Sequence, residues 1–158
     1  MTKRLTTLLG LAALAACAKS AAPTRSGGDV SSTDACALLT PAEIQQALGV
    51  AVKPGVKQTT ATSAQCQWDS QDEGAAAGVS VSVATYDDAL FHTMSSASKA
   101  VPVSGLGEAA FTGYPHAGDV SIRQKGFEVD VGIADFKLAS ASADSIAVTL
   151  GKLVLSRL

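Results

Sequence analysis

The sequence predicts an α+β domain, an antiparallel β-sheet flanked by helices, in a chain of 158 residues. Three observations carry this expectation. Thr40-Pro41-Ala42-Glu43 has the form of a capped helix start, with a hydroxyl at the cap, proline at the first helical position and a carboxylate to close the capping box. Val79, Val81 and Val83 alternate with Ser80, Ser82 and Ala84 at the period of a half-buried strand. Val120 to Arg123 and Phe127 to Ile133 alternate in the same way across Gln124-Lys125-Gly126, the mark of a tight hairpin.

The remaining elements follow in order. The first helix places Ile44, Ala47 and Leu48 on one face and stops at Gly49, and Leu39 before the cap is positioned to staple onto Ile44. Val50 to Val56 alternates weakly and is expected as a first strand interrupted by Pro54-Gly55, with the polar Gln58 to Ala64 as a loop. Gln65 to Trp68 reads as a short strand with Cys66 and Trp68 on one face, and Asp69 to Gly78 as a turn. Asp87 or Asp88 caps a second helix running to about Ser98, with Leu90, Phe91, Met94 and Ala97 on its buried side. Residues 101–118 hold Pro102, Gly105, Gly107, Gly113, Pro115 and Gly118 and are expected as a long irregular connection. Ser142 is expected to cap a final helix burying Ile146, Leu150, Leu153 and Val154, with Lys152 and Arg157 complementing its dipole.

Ahead of this domain the chain has a different character. Lys3 and Arg4 precede an apolar run that ends in Leu14-Ala15-Ala16-Cys17, which reads as a secretory signal over residues 1–16. The run is too short and too diluted by Thr6, Thr7 and Gly10 for a spanning helix of about 20 apolar residues. A cysteine directly after Leu-Ala-Ala resembles the lipobox of bacterial lipoproteins. That resemblance implies a lipidated Cys17 as first mature residue and a protein anchored outside the cytoplasmic membrane, periplasmic or outer-membrane-attached in a cell with two membranes. Residues 17–33 are then a lipidated cysteine and flexible tether, small and polar with Pro23 and Gly27-Gly28, and residues 34–158 one globular domain.

Without residues 1–16 the side chains number ten basic against fourteen acidic, a net charge of −4. Such a domain lacks the basic stripe that a phosphate backbone requires, which argues against a nucleic-acid partner. Cys36 and Cys66 remain as an even pair in a secreted chain, expected as a disulfide, with two free thiols or half of a metal site as the alternatives. Only His92 and His116 could complete a metal site with them, and neither has a suitable spacing, so no metal and no cofactor is expected.

Asp34 to Glu43 followed by Ala47-Leu48-Gly49, then Cys66-Gln67-Trp68 and Gly105-Leu106-Gly107-Glu108-Ala109-Ala110-Phe111, together resemble an uncharacterised family of bacterial envelope lipoproteins best known from actinobacteria. The resemblance implies a compact α/β sandwich similar in outline to PsbP-like domains, a bridge between Cys36 and Cys66, and no assigned enzyme activity. Ala35 departs from it, since a proline commonly precedes that cysteine in the family.

No Gly-x-Ser-x-Gly elbow, His-Glu-x-x-His helix or P-loop is present. His92 falls on a helix beside Phe91, whereas His116 lies in the glycine-rich connection where a polar residue is reachable. Asp87-Asp88 is expected as a helix cap, Asp69, Asp72 and Glu73 as a solvated turn, and Glu128 with Asp130 as the exposed face of a strand. Trp68 is expected to pack on the disulfide. The residues therefore favour a non-catalytic binding or accessory domain for an envelope protein or small ligand, with Phe111, Tyr114 and His116 as the candidate contact loop. The alternative is an envelope hydrolase using His116 with an acidic partner.

Overall fold

The computed structural model describes residues 29–74, 76–135 and 137–158. The signal segment and Cys17 lie outside the described residues, as does most of the expected tether. Among the described residues seven antiparallel strands form one sheet: β1 (Val56–Thr59), β2 (Ser63–Asp69), β3 (Ala77–Thr85), β4 (Val101–Pro102), β5 (Ala109–Thr112), β6 (Asp119–Gln124) and β7 (Phe127–Asp135). Their spatial order is β1-β2-β3-β7-β6-β5-β4. The chain crosses after β3 through helix α2 (Asp88–Ser95) to the far edge, then meanders back until β7 pairs with β3. Helix α1 (Pro41–Leu48) precedes the sheet and α3 (Ser140–Leu155) follows it.

One face of the sheet carries the main core. The inward residues Val79, Val81 and Val83 of β3, Val129 and Val131 of β7, and Val120 and Ile122 of β6 are buried under α3 and the N-terminal segment. Ile44, Leu39, Leu150 and Val154 close this layer. Helix α1 forms as its residues dictate. The Thr40 hydroxyl accepts from the Glu43 amide, the Thr40 N–H donates to the Glu43 carboxylate at 2.8 Å, and Gly49 ends the helix at φ 75°. The β6–β7 hairpin turns through Lys125 and Gly126, both at positive φ. Cys36 and Cys66 are bridged, with Cα atoms 5.0 Å apart, and Trp68 lies buried beside them in the core.

Several elements differ from the sequence expectation. Val50 to Val56 is not a strand: within it only Val52 bridges, to Ser70, and β1 begins at its last residue, Val56, and runs to Thr59, inside the expected loop. Pro54 has no N–H to offer a ladder, and Gly55 passes close against Cys66 and Trp68, so pairing starts after them. The folded part reaches back into the expected tether, because Asp29 caps a 3-10 turn at Val30–Ser32 and Val30 is buried in the core. The connection 101–118 contains β4 and β5, whose short strands extend the sheet to its edge. Helix α2 stops at Ser95 and buries only Phe91, leaving Leu90 exposed. Helix α3 starts at Ser140 after Ala139, with no side-chain cap, rather than at Ser142.

Candidate functional site

The second face of the sheet is polar and only partly covered. Helix α2 lies over its β5 end, where Phe91 packs edge-on against Phe111 at 5.2 Å between ring centroids and against Tyr86 at 5.7 Å. Beyond α2 the outward side chains are Ser80 and Ser82 of β3, Gln65 and Gln67 of β2, and Asp119, Ser121 and Asp130 of the β6–β7 hairpin. A groove of about 910 Å³ opens on this face, floored by Gly78, Gly132 and Ala134 and flanked by Ser80, Asp119 and His116. A smaller hollow of about 210 Å³ over Val56, Gln58, Gln65 and Ser82 adjoins it at Gln67 and Ser80.

The contact residues expected from sequence are separated by the fold. Phe111 is not available as an anchor: it belongs to β5, is 1% exposed and is spent on Phe91. Tyr114 is half-buried in the turn before β6 and is not among the groove residues. His116 is exposed and lines the groove. Its backbone N–H donates to Asp119 Oδ2 at 3.2 Å, so the carboxylate organises the turn rather than the imidazole. Among the described residues the His116 imidazole bonds to no side chain, and no serine or threonine hydroxyl pairs with it.

The carboxylates of the hairpin are not the solvated strand face that their alternation predicts. Glu128 is 6% exposed, and its burial, with the carboxylates of Asp130 and Asp87 nearby, pushes it up to about 7. Arg123 is its cross-strand partner but turns away from it. Arg123 Nη1 donates to the Tyr86 hydroxyl at 3.2 Å, and Nε lies 3.4 Å from Glu108, so among the described residues Glu128 has no counter-charge. Burial also raises Asp130, although the Ser121 hydroxyl donates to it at 2.6 Å and partly offsets the rise. Asp119 is raised by burial against the opposing pull of the His116 amide.

Sequence reasoning missed the groove itself. The available signal was that the outward positions of β3 and β7 hold Ser80, Ser82 and Gly132, too small to shield a sheet face. Among the described residues no group of three His, Cys, Asp or Glu side chains is arranged to hold a metal ion. The arrangement can offer hydrogen bonds and negative charge to a ligand, and among the described residues it holds no oriented nucleophile and base.

No curated protein and no solved structure matches the chain. A family model described as "Protein of unknown function (DUF3558)" matches residues 12–144, most of the chain, and the protein therefore belongs to that family.

Proposed function

We propose that this is a non-catalytic binding domain, tethered to the cell envelope through a lipidated Cys17, that takes its ligand on the polar, uncovered face of the sheet. The observation that carries the reading is the groove of about 910 Å³ above Gly132, within the size range of small-ligand sites. A sheet face left open in an antiparallel fold is usually polar, but here it is also concave and continues into a second hollow across β1–β3. The lipobox supplies the tether in this reading, and among the described residues no helix is long and apolar enough to cross a membrane. Two or more acyl chains hold a protein stably at a bilayer, at about 0.8 kcal/mol per buried methylene.

The hydrolase alternative draws on one observation, that His116 and Asp119 share the groove. Against it, Asp119 engages the backbone of His116, and no hydroxyl is held by the imidazole. The test is twofold. Intact mass of the protein from its native membranes should match a start at Cys17 plus acyl chains; an unlipidated mass removes the tether. Hydrogen exchange of the same material with and without small-molecule envelope extract should slow amides of β2, β3 and β7. Slowing confined to α1 or α3 would contradict the assignment of the face, and turnover of an ester or glycoside substrate lost in His116→Ala would favour the hydrolase.

A further inference from the structure

We propose that Arg123 is a two-position latch on helix α2. With Glu128 neutral, its guanidinium holds the start of the helix through Tyr86 and Asp88. With Glu128 ionised, it swings to that carboxylate and lets the helix lift from the sheet. The first argument is register. Arg123 of β6 and Glu128 of β7 are directly paired across the hairpin, so both side chains rise from the same face. Their Cβ atoms then stand about 5 Å apart, well within the reach of an arginine. Yet the guanidinium lies over the Tyr86 ring, 5.6 Å from its centre, with Nη1 donating to the Tyr86 hydroxyl. That hydroxyl donates in turn to Asp88 Oδ1 at 2.6 Å, and Arg123 Nη1 stands 3.8 Å from the same oxygen. Asp88 is the first residue of α2, so these contacts tie the helix to the sheet.

The second argument is that both partners are left incomplete. Arg123 Nε is buried and, although 3.4 Å from Glu108, makes no hydrogen bond. Glu128 is buried too, and among the described residues no donor reaches its carboxyl. The groups that face it are Asp130 on its own strand, Asp87 at the cap of α2, and Arg123 from β6; Ala84 opposite it on β3 is uncharged. Burial and the two carboxylates push Glu128 up to about 7, so its proton leaves to solvent near neutral pH. An ionised Glu128 then stands beside like charges, with its cross-strand arginine as the cation placed to relieve it. A two-pronged arginine–carboxylate pair would also engage the unused Nε.

The third argument is that α2 has little else to hold it. The helix buries Phe91 alone, against Phe111 and Tyr86. The Asp87, Thr93 and Ser95 side chains bond only within the helix and its cap. An isolated helix of eight residues is not stable in water, so α2 frays once the latch leaves it. Phe91 and Phe111 are then uncovered at one end of the open sheet face, whatever that face binds. The closed state holds a proton that the open state has released, so opening increases as pH rises and levels off above 7.

The test follows the full-length protein in detergent micelles by NMR at pH 5 and pH 8. At pH 5 the Arg123 side-chain protons should show nuclear Overhauser contacts to the Tyr86 ring. At pH 8 those contacts should be replaced by contacts to the Glu128 side chain, whereas Glu128→Gln should keep the Tyr86 contacts at both values. Amide exchange in α2 at pH 8 should be about ten-fold faster or more in the parent than in Glu128→Gln, and within a few-fold of it at pH 5. Tyr86→Phe removes the hydroxyl from the latch, so it should speed α2 exchange at pH 5 and change it little at pH 8. Arg123 contacts to Tyr86 that persist in the parent at pH 8 overturn the inference. So does equal α2 exchange in the parent and Glu128→Gln at pH 8. Should Glu128→Gln fail to fold, Tyr86→Phe decides alone, and an equal effect at both pH values overturns the latch.

Discussion

Arg157 grips the carboxylate of Glu43 with two guanidinium nitrogens across 114 residues of chain, and also donates to the Leu38 carbonyl at 2.6 Å. The contact ties the end of α3 to the first turn of α1, where Glu43 already closes the capping box. Bonds from Arg157, then from the Thr40 amide, hold Glu43 down at about 2, against an ordinary 4.5. A depressed carboxyl contributes stability that is present above the unfolded value and lost as pH falls through the folded one. The account predicts that Arg157→Ala lowers the melting temperature at pH 7 and flattens the loss of stability between pH 4.5 and 2. Arg157→Lys should recover little, because a lysine cannot reproduce the two-pronged geometry. Thr40→Ala should cost about 1 kcal/mol by removing the cap. Parallel acid titrations of parent and Arg157→Ala would contradict the assignment.

Cys36 and Cys66 close a loop of 30 residues, and the bridge packs where Gly55 passes. Replacing both cysteines with serine should destabilise the domain by about 3–4 kcal/mol, the loop-closure entropy of a bridge of this span, as read in denaturant titrations. Gly55→Ala attacks the same point from outside, since its Cβ would come within 2.5 Å of Cys66 Sγ and 2.7 Å of Trp68 Nε1. Overpacking of this sort should cost about 1–3 kcal/mol. Because both changes act on one contact, the combined variant should lose less than the two separate losses together.

Glu128 sets the opposite pH trend. Its carboxyl is raised by burial first and by Asp130 and Asp87 second, to about 7 from 4.5. Between those values the folded state holds a proton that the unfolded state has released. Its contribution is therefore complete below pH 4.5, falls as pH rises through 7, and levels off above. The full loss is about 3 kcal/mol at one proton and 1.36 kcal/mol per pH unit. Glu128→Gln, a neutral isostere, should be more stable than the parent at pH 8 and should show a flatter profile from pH 5 to 7. Thermal melts across this range check it, and an unchanged slope in the variant would mean that Glu128 is solvated when folded.

The sheet and its helices were legible where local chemistry and periodicity agreed. Thr40, Pro41, Glu43 and Gly49 specify α1 without help from the rest of the chain, and the valines of β3 declare which face is buried. The disulfide was legible from the count of cysteines and from the family resemblance. Failures came where tertiary context decides. Val101-Pro102 and Ala109 to Thr112 are too short to signal strands and become them only as β5 pairs onto β6 and β4 onto β5. Phe111 looked like an exposed anchor because nothing local shows that α2 folds back to place Phe91 on it. Glu128 and Asp130 alternate as a solvated face would, yet Arg123 turns to Tyr86 and Glu108 and leaves Glu128 buried without its cation. The groove depends on Ser80, Gly132 and Asp119 meeting from three strands, and no window of sequence contains them together.

The central claim is that ligand meets the uncovered sheet face, and site-specific photocrosslinking in the intact envelope tests it most directly. A photoreactive residue at Gln67, exposed at the edge of the groove, is compared with one at Lys152, exposed on α3 behind the sheet. The account predicts adducts from position 67 that diminish when Gly132→Ala displaces Ser80 Oγ and Asp119 Oδ1 at the groove floor, and none from position 152. Adducts from position 152 alone, or from position 67 in undiminished yield with Gly132→Ala, would contradict it.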